Sequence, residues 1–122
     1  MTIARLIYLQ LCLWMPPEHA EIAVKQAAFE SGWFKSKAFE QYNNPFGLMW
    51  KGEIQCFDDV QEACYQYYKQ IYCQYDPCTT PDYWKFIEKL PYCPGCNQYV
   101  EKVKSIQLNL KPSYDQSRRL HR

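Results

Sequence analysis

Glu30 is the residue of this 122-residue sequence that is best placed to act as an acid. It follows Ala23 by seven positions and Ala27 by three, so in a helix it continues their apolar face. A carboxyl group that is partly withdrawn from water holds its proton more firmly and can deliver it to a leaving-group oxygen near neutral pH. The alternative is an ordinary helix-end residue that reaches water.

The seven cysteines allow a second kind of chemistry. Cys93 and Cys96 have the C-x2-C spacing of a zinc knuckle, and Cys73 and Cys78 upstream would complete a set of four thiolates. Because the spacing of the upstream pair is loose for zinc, three interpretations stay open: a zinc-stabilised binding module, disulfides among these four residues, and free thiols. We favour no bound metal and no cofactor.

Two helices must position Glu30. Apolar residues from Ile3 to Trp14 recur at helical spacing until Pro16-Pro17, which predicts a first helix that ends near Met15. A second helix then begins at Pro17, carries a stripe of alanines and valine, and ends near Ser31 with Gly32 as its stop. Residues 32–45 show no sustained periodicity.

The second half of the sequence predicts a hairpin and three further helices. Lys51-Gly52-Glu53 forms the tight turn between strands 48–50 and 54–57. Asp58 or Asp59 caps the next helix, Gln61 or Glu62 completes a capping box, and apolar spacing continues to Tyr75. Shorter helices fit 80–90 and the face from Tyr99 to Leu110, and the tail from Lys111 is polar and loose.

The predicted architecture is therefore one α+β domain over residues 1–122, predominantly α, with a small β-hairpin lobe. The 14 Lys and Arg nearly balance the 13 Asp and Glu, so we expect no nucleic-acid partner and no anionic membrane surface. His19 and His121 are isolated and no glycine-rich phosphate loop is present, so acyl and phosphoryl transfer are not supported.

Two ordered motifs resemble those of bacterial glucosaminidases of glycoside hydrolase family 73. Ala27-Ala28-Phe29-Glu30-Ser31-Gly32-Trp33 is similar to A-A-L-E-S-G-W, and Asn43-Asn44-Pro45-Phe46-Gly47-Leu48 is similar to N-N-L-F-G-I. The likeness continues through Phe57, Leu90-Pro91-Tyr92 and Tyr99 to Val103, and covers roughly residues 15–107.

This resemblance implies a lysozyme-like fold and cleavage of the β-1,4 glycan backbone of peptidoglycan, with Glu30 as the general acid. It places Asn43, Asn44, Phe46 and Gly47 in a turn that lines the cleft, with Trp33 also at the substrate. The alternative for the four turn residues is a plain strand-entry turn. Tyr92 matches a family tyrosine near the acid, and its alternative is a buried tyrosine beside Pro91.

The sequence departs from the family pattern at the β-lobe, which is cut to the hairpin between Gly47 and Phe57. Hydrolysis normally needs a second carboxylate, and the hairpin contains only Glu53. We assign the second role to Glu53, with a solvated hairpin-tip residue as the alternative. A muramidase, or a lytic transglycosylase that needs a single Glu, therefore stays open.

The partner is expected to be peptidoglycan glycan strands. The apolar run Leu6–Met15 behind Arg5 is interrupted by Gln10 and lacks a cleavage site, so we interpret it as a helix rather than a signal peptide. Delivery by a phage, as a lysin or with virion or lysis-machinery components, or secretion by a less obvious route would suit such a chain. A non-catalytic wall-binding or virion structural module is the remaining alternative.

Overall fold

The computed structural model describes residues 2–90 and 98–110. Within these ranges the chain forms six α-helices, one short 3-10 helix and one two-stranded hairpin. In chain order they are α1 Ile3–Leu11, α2 Pro17–Glu30, α3 Lys37–Tyr42, β1 Met49–Trp50, β2 Glu53–Ile54, α4 Val60–Gln70, the 3-10 helix Tyr72–Gln74, α5 Tyr83–Glu88 and α6 Tyr99–Lys104. The predicted helical α+β architecture is confirmed.

The main core lies where α1 packs against both α2 and α4. Small side chains make this close packing possible, because Ala20, Ala23 and Ala27 of α2 are completely buried. Larger apolar residues fill the space around them, among them Ile7, Leu11, Val24, Phe46 and Tyr67. The predicted apolar stripe of α2 is thus its core face. Among the described helices, none has the length and apolar character needed to cross a membrane.

Several helices end earlier than their apolar spacing predicts. The first helix stops at Leu11 rather than near Met15, because the amide of Leu13 bonds to the carbonyl of Gln10, three residues back, and so leaves the four-residue helical pattern. The amide of Trp14 already bonds to the carbonyl of Leu11 in a tighter turn. At the other end, α6 stops at Lys104, yet Ile106 and Leu110 remain buried without being helical.

Helix α3 was not predicted, because six residues are too few to show periodicity. Its ends do carry sequence signals. Ser36 accepts a hydrogen bond at its Oγ from the amide of Phe39 (3.1 Å), which is an N-cap. Asn43 adopts a left-handed φ of 54° and ends the helix. Helix α4 has its predicted cap, since Asp59 accepts from the Glu62 amide (2.7 Å) and Glu62 accepts in turn from the Asp58 amide (3.0 Å).

The hairpin is smaller than predicted. Trp50 pairs with Glu53 and Met49 with Ile54, so Glu53 begins the second strand instead of lying in the turn. Lys51 and Gly52 form the turn, and both have positive φ, 51° and 82°. That is the pattern of a type I′ turn, whose twist matches the two strands.

Two asparagines hold the loop between α3 and the hairpin. Asn43 donates from Nδ2 to the carbonyls of Phe57 (3.0 Å) and Asp58 (3.2 Å). Asn44 is 1% exposed and donates to the carbonyls of Leu48 (2.9 Å) and Gln55 (3.0 Å), while its Oδ1 accepts from the Leu48 amide (3.1 Å). Asn44 thus satisfies backbone groups on both sides of the hairpin.

We expect Asn44→Ala to lower the free energy of unfolding by about 2–3 kcal/mol, because it leaves buried backbone groups without a partner. Asn109→Ala is the matched control, since Asn109 is exposed and should be close to neutral. Denaturant unfolding of the three proteins measures both values. An Asn44→Ala loss no larger than that of the control would contradict the role given to this side chain.

Candidate active site

Glu30 is the last residue of α2, and the chain turns away directly after it. Gly32, Trp33 and Phe34 follow with positive φ values of 57°, 62° and 66°. This left-handed run is held by the Phe34 amide, which donates to the Oγ of Ser31 (2.7 Å), and by the Trp33 amide, which donates to the carbonyl of Ala28 (2.8 Å). Left-handed backbone is costly for residues other than glycine, and such strain concentrates at functional sites.

Tyr99 holds one oxygen of the Glu30 carboxyl group. Its hydroxyl donates to Oε2 at 2.8 Å, across 69 positions of sequence. Tyr99 is the first residue of α6, which packs against α2. Its ring meets that of Phe29 edge to face, with the centroids 5.3 Å apart. The packing of the two helices therefore sets the position of the phenol.

Gly47 lies against the other oxygen. A methyl group built on Gly47 would touch Oε1 of Glu30 at 3.8 Å, and the φ of Gly47 is +67°, which favours glycine. Oε1 makes no hydrogen bond to any residue within 2–90 or 98–110. The two oxygens thus differ: Oε2 is held by Tyr99, and Oε1 faces the loop at Gly47.

Partial burial governs the acidity of Glu30. Burial raises the pKa of this carboxyl, and the hydrogen bond from Tyr99 lowers it by a smaller amount. Burial, followed by the charge of Glu30, also raises the pKa of Tyr99, so the phenol keeps its proton and remains a donor. Glu30 is therefore a carboxyl group that retains its proton to higher pH than an ordinary glutamate.

A groove of about 610 Å³ has Gly47 in its lining, and Glu30 lies outside that lining, in contact with Gly47. The hairpin forms one wall, where Trp50 is 67% exposed, and the end of α4 forms the other. The described residues that line it are all uncharged: Gly47, Leu48, Met49, Trp50, Gln70, Ile71, Gln74 and Leu90.

A pair of amides fixes the hairpin wall to the helix wall. Gln55, just after β2, donates from Nε2 to Oε1 of Gln70 on α4 (2.8 Å), and Gln70 donates back to Oε1 of Gln55 (3.0 Å). Gln66 accepts a further hydrogen bond from Gln70 (3.0 Å). Because the pair is reciprocal, it restrains the distance between the two walls.

The predicted site residues fall into distinct places. Gly47, which the resemblance places in a turn lining the cleft, contacts Glu30. Asn44 and Phe46 are buried, so they support the loop and offer almost no surface to a substrate. Phe46 packs against Tyr67 in the core, with the ring centroids 4.6 Å apart. The side-chain amide of Asn43 donates hydrogen bonds to the backbone carbonyls of Phe57 and Asp58.

Of three other predicted site residues, two are exposed and one is not described by the structure. Trp33 is 52% exposed, three residues after Glu30. Glu53 is exposed on β2, opposite Trp50. Tyr92 lies outside the described residues.

Sequence reasoning missed two residues beside the acid. Tyr99 entered only as part of a closing segment, and its contact with Glu30 is too distant in sequence for periodicity to reveal. Gln26 is fully buried four positions before Glu30, on the same face of α2. The sequence signal that could have identified Gln26 is a glutamine within a stripe of alanines.

The cysteines give no support to metal chemistry in the part of the chain that the structure describes. Cys12, Cys56, Cys64, Cys73 and Cys78 are free thiols, so of the interpretations left open a disulfide between Cys73 and Cys78 is not formed. Cys93 and Cys96 lie outside the described residues. No cluster of three or more His, Cys, Asp or Glu side chains able to hold a metal occurs in residues 2–90 and 98–110. Burial raises the pKa of the Cys64 thiol to about 12, which makes it unreactive.

Comparison with known proteins assigns the family. The model of a glucosaminidase family, described as mannosyl-glycoprotein endo-beta-N-acetylglucosaminidase, matches residues 18–112. No curated protein and no solved structure gives a significant match. The matched region contains Glu30, the loop at Gly47 and Tyr99, so it spans every contact described for the acid. It also supports the predicted lysozyme-like fold class. The chain therefore belongs to the glucosaminidase family, a family of glycosidases.

Proposed function

We propose that this protein cleaves the β-1,4 glycan backbone of peptidoglycan as an endo-β-N-acetylglucosaminidase, with Glu30 as the general acid. The observation that carries the proposal is the arrangement of the Glu30 carboxyl. Its pKa is raised by burial, one oxygen is held by Tyr99, and the other contacts Gly47, which is one of the residues that line an uncharged groove. Glycosidic bond cleavage requires a proton donor next to the place where the glycan binds, and Gly47 is the residue that the acid and the groove share.

The groove suits a neutral sugar chain. Sugar rings have apolar faces that pack on aromatic side chains, and Trp50 is a broad exposed ring on the hairpin wall. Amides and hydroxyl groups of the sugars can pair with polar atoms such as those of Gln74 on the opposite wall. In this account the hairpin binds the glycan, and the Gln55–Gln70 pair keeps the hairpin at the correct distance.

The chemical step follows from the two unlike oxygens. The proton on Oε1 passes to the glycosidic oxygen while the bond from that oxygen to the anomeric carbon breaks, so the leaving sugar departs as a neutral alcohol. In hydrolysis, water forms the new bond to the anomeric carbon and gives up one proton to a carboxylate. Glu30 is then a carboxylate in a partly desolvated place. The Tyr99 hydroxyl remains bonded to Oε2 and stabilises that charge as it forms.

A second candidate is a lytic transglycosylase reaction. It is favoured by the lining of the groove, since none of the described residues along it carries a carboxylate. In that reaction the hydroxyl group of the sugar attacks the same carbon and no water is activated. Hydrolysis would instead assign the second role to Glu53 on the hairpin, so Glu53→Gln should abolish activity in a hydrolase and leave it intact in a transglycosylase.

Digestion of peptidoglycan followed by mass spectrometry tests the main proposal. We expect soluble fragments with N-acetylglucosamine at the reducing end, and no fragments from Glu30→Gln because the N–H groups of the amide are too weakly acidic to protonate the glycosidic oxygen. Glu40→Gln, at an exposed position on α3, is the control and should retain full activity. N-acetylmuramic acid ends would indicate a muramidase, and anhydro-sugar ends a transglycosylase. Full activity of Glu30→Gln would overturn the assignment of the acid.

The pH dependence of kcat/KM tests the contact with Tyr99. Because this hydrogen bond lowers the pKa of Glu30, Tyr99→Phe should raise that pKa and move the limb on which activity falls with rising pH to higher pH. The rate at the optimum should fall about tenfold or more, because the carboxylate loses a charge-assisted donor. Tyr65→Phe, at a 40% exposed ring on α4, should change neither quantity. A limb that stays in place or moves to lower pH in Tyr99→Phe would contradict this role.

A further inference from the structure

Gln26 is a polar residue at a position where an apolar one is expected. Its side chain is completely buried on the alanine face of α2, one turn before Glu30. A buried amide costs free energy unless its polar atoms are hydrogen-bonded, so such a residue normally has a specific task. Its partners show what that task is.

The amide oxygen of Gln26 is committed to Tyr67. The Tyr67 hydroxyl donates to Oε1 of Gln26, and it also lies 2.7 Å from the hydroxyl of Tyr83. A phenol has a single proton to donate. Since Tyr67 gives its proton to Gln26, Tyr83 must be the donor in the contact between the two tyrosines. Both rings are buried, which protects these hydrogen bonds from water.

The amide nitrogen of Gln26 is therefore left to meet Tyr99. Nε2 of Gln26 is buried and makes no hydrogen bond of standard geometry to any residue within 2–90 and 98–110, so its N–H groups remain available to the phenol of Tyr99. Burial and the charge of Glu30 raise the pKa of Tyr99, and the Gln26 amide opposes them as a donor to the phenol oxygen. Because Gln26 approaches Tyr99 only with N–H groups, Tyr99 cannot give its proton to Gln26. That proton is reserved for Oε2 of Glu30.

We propose that Gln26, Tyr67 and Tyr83 are positioning residues for the acid, because they form a buried relay in which every donor points toward Glu30. The relay runs from Tyr83 to Tyr67, then to Gln26, Tyr99 and Oε2 of Glu30. Hydrogen bonds aligned in this way polarise one another, so the last donor is strengthened. The inference rests on the proposed function, and it explains how that function controls the strength of the acid.

The relay opposes the effect of burial. Burial favours the protonated form of Glu30 before the reaction, whereas the aligned donors favour the carboxylate that remains after proton transfer. Tyr99 is the titratable residue that faces Glu30 among the described residues, and the neighbouring charges of α6, Glu101 and Lys102, are exposed to water. The acidity of Glu30 is therefore set mainly by its burial and by this relay.

NMR titration of the Glu30 side-chain carboxyl in the intact protein tests the relay without any substrate. Tyr67→Phe frees the Gln26 amide to rotate and to accept the Tyr99 proton, so the pKa of Glu30 should move upward, nearly as far as in Tyr99→Phe. Tyr83→Phe removes only the first donor and should cause a smaller upward movement. Tyr65→Phe, on the same helix as Tyr67 but 40% exposed, should leave the titration of Glu30 unchanged.

The expected and contrary results are distinct. In the assay of glycan cleavage, Tyr67→Phe should lower kcat by about twofold to tenfold with little change in KM. An unchanged titration of Glu30 in a folded Tyr67→Phe protein would overturn the relay, even if its stability fell. If Tyr67→Phe does not fold, the titration of Tyr83→Phe decides in the same way. A parent protein that cleaves no glycan would contradict the proposed function. The NMR titration of Glu30 would still test the relay, because it needs no substrate.

Discussion

Partial desolvation of the Glu30 carboxyl is the constraint on which the rest of this site depends. A carboxyl group at the end of a helix would normally reach water and ionise. Here α6 brings Tyr99 to one oxygen and the loop brings Gly47 to the other, so the group is held between them. After Glu30, the left-handed backbone at Gly32, Trp33 and Phe34 turns the chain away from the carboxyl group. Burial raises the pKa of Glu30, and the hydrogen bond from Tyr99 lowers it by a smaller amount.

Tyr67 connects this acid to the groove. Its ring packs against Phe46, which anchors the loop that carries Gly47, and its hydroxyl orients Gln26 beneath the acid. One buried side chain thus supports both the loop and the hydrogen bonds that reach Glu30. On the other side of the loop, Asn44 ties the hairpin to the same segment. The hairpin wall of the groove and the carboxyl group of Glu30 are therefore parts of one packed unit, and a substitution at Tyr67 should affect both.

The sequence predicted what depends on local spacing and failed where distant residues meet. Helix α2, its alanine face and the N-terminal cap of α4 follow from residues a few positions apart, and the structure confirms them. Tyr99 and Tyr67 reach their partners across 69 and 41 positions, so no periodicity could reveal those contacts. Motif likeness also does not separate a residue that supports a loop from one that faces a ligand. Asn44 and Phe46 share the motif with Gly47, yet only burial identified their supporting role.

The free energy of unfolding as a function of pH tests most directly whether the fold holds Glu30 as a desolvated acid. The folded-state pKa of Glu30 is raised above its unfolded value of about 4.3, so the parent protein loses stability as pH rises from that value through the folded pKa. Glu30→Gln cannot titrate there, while all other groups are shared. We predict that the stability of Glu30→Gln relative to the parent grows with pH across this window and then levels off. A difference that stays constant, or that shrinks as pH rises, would contradict the account.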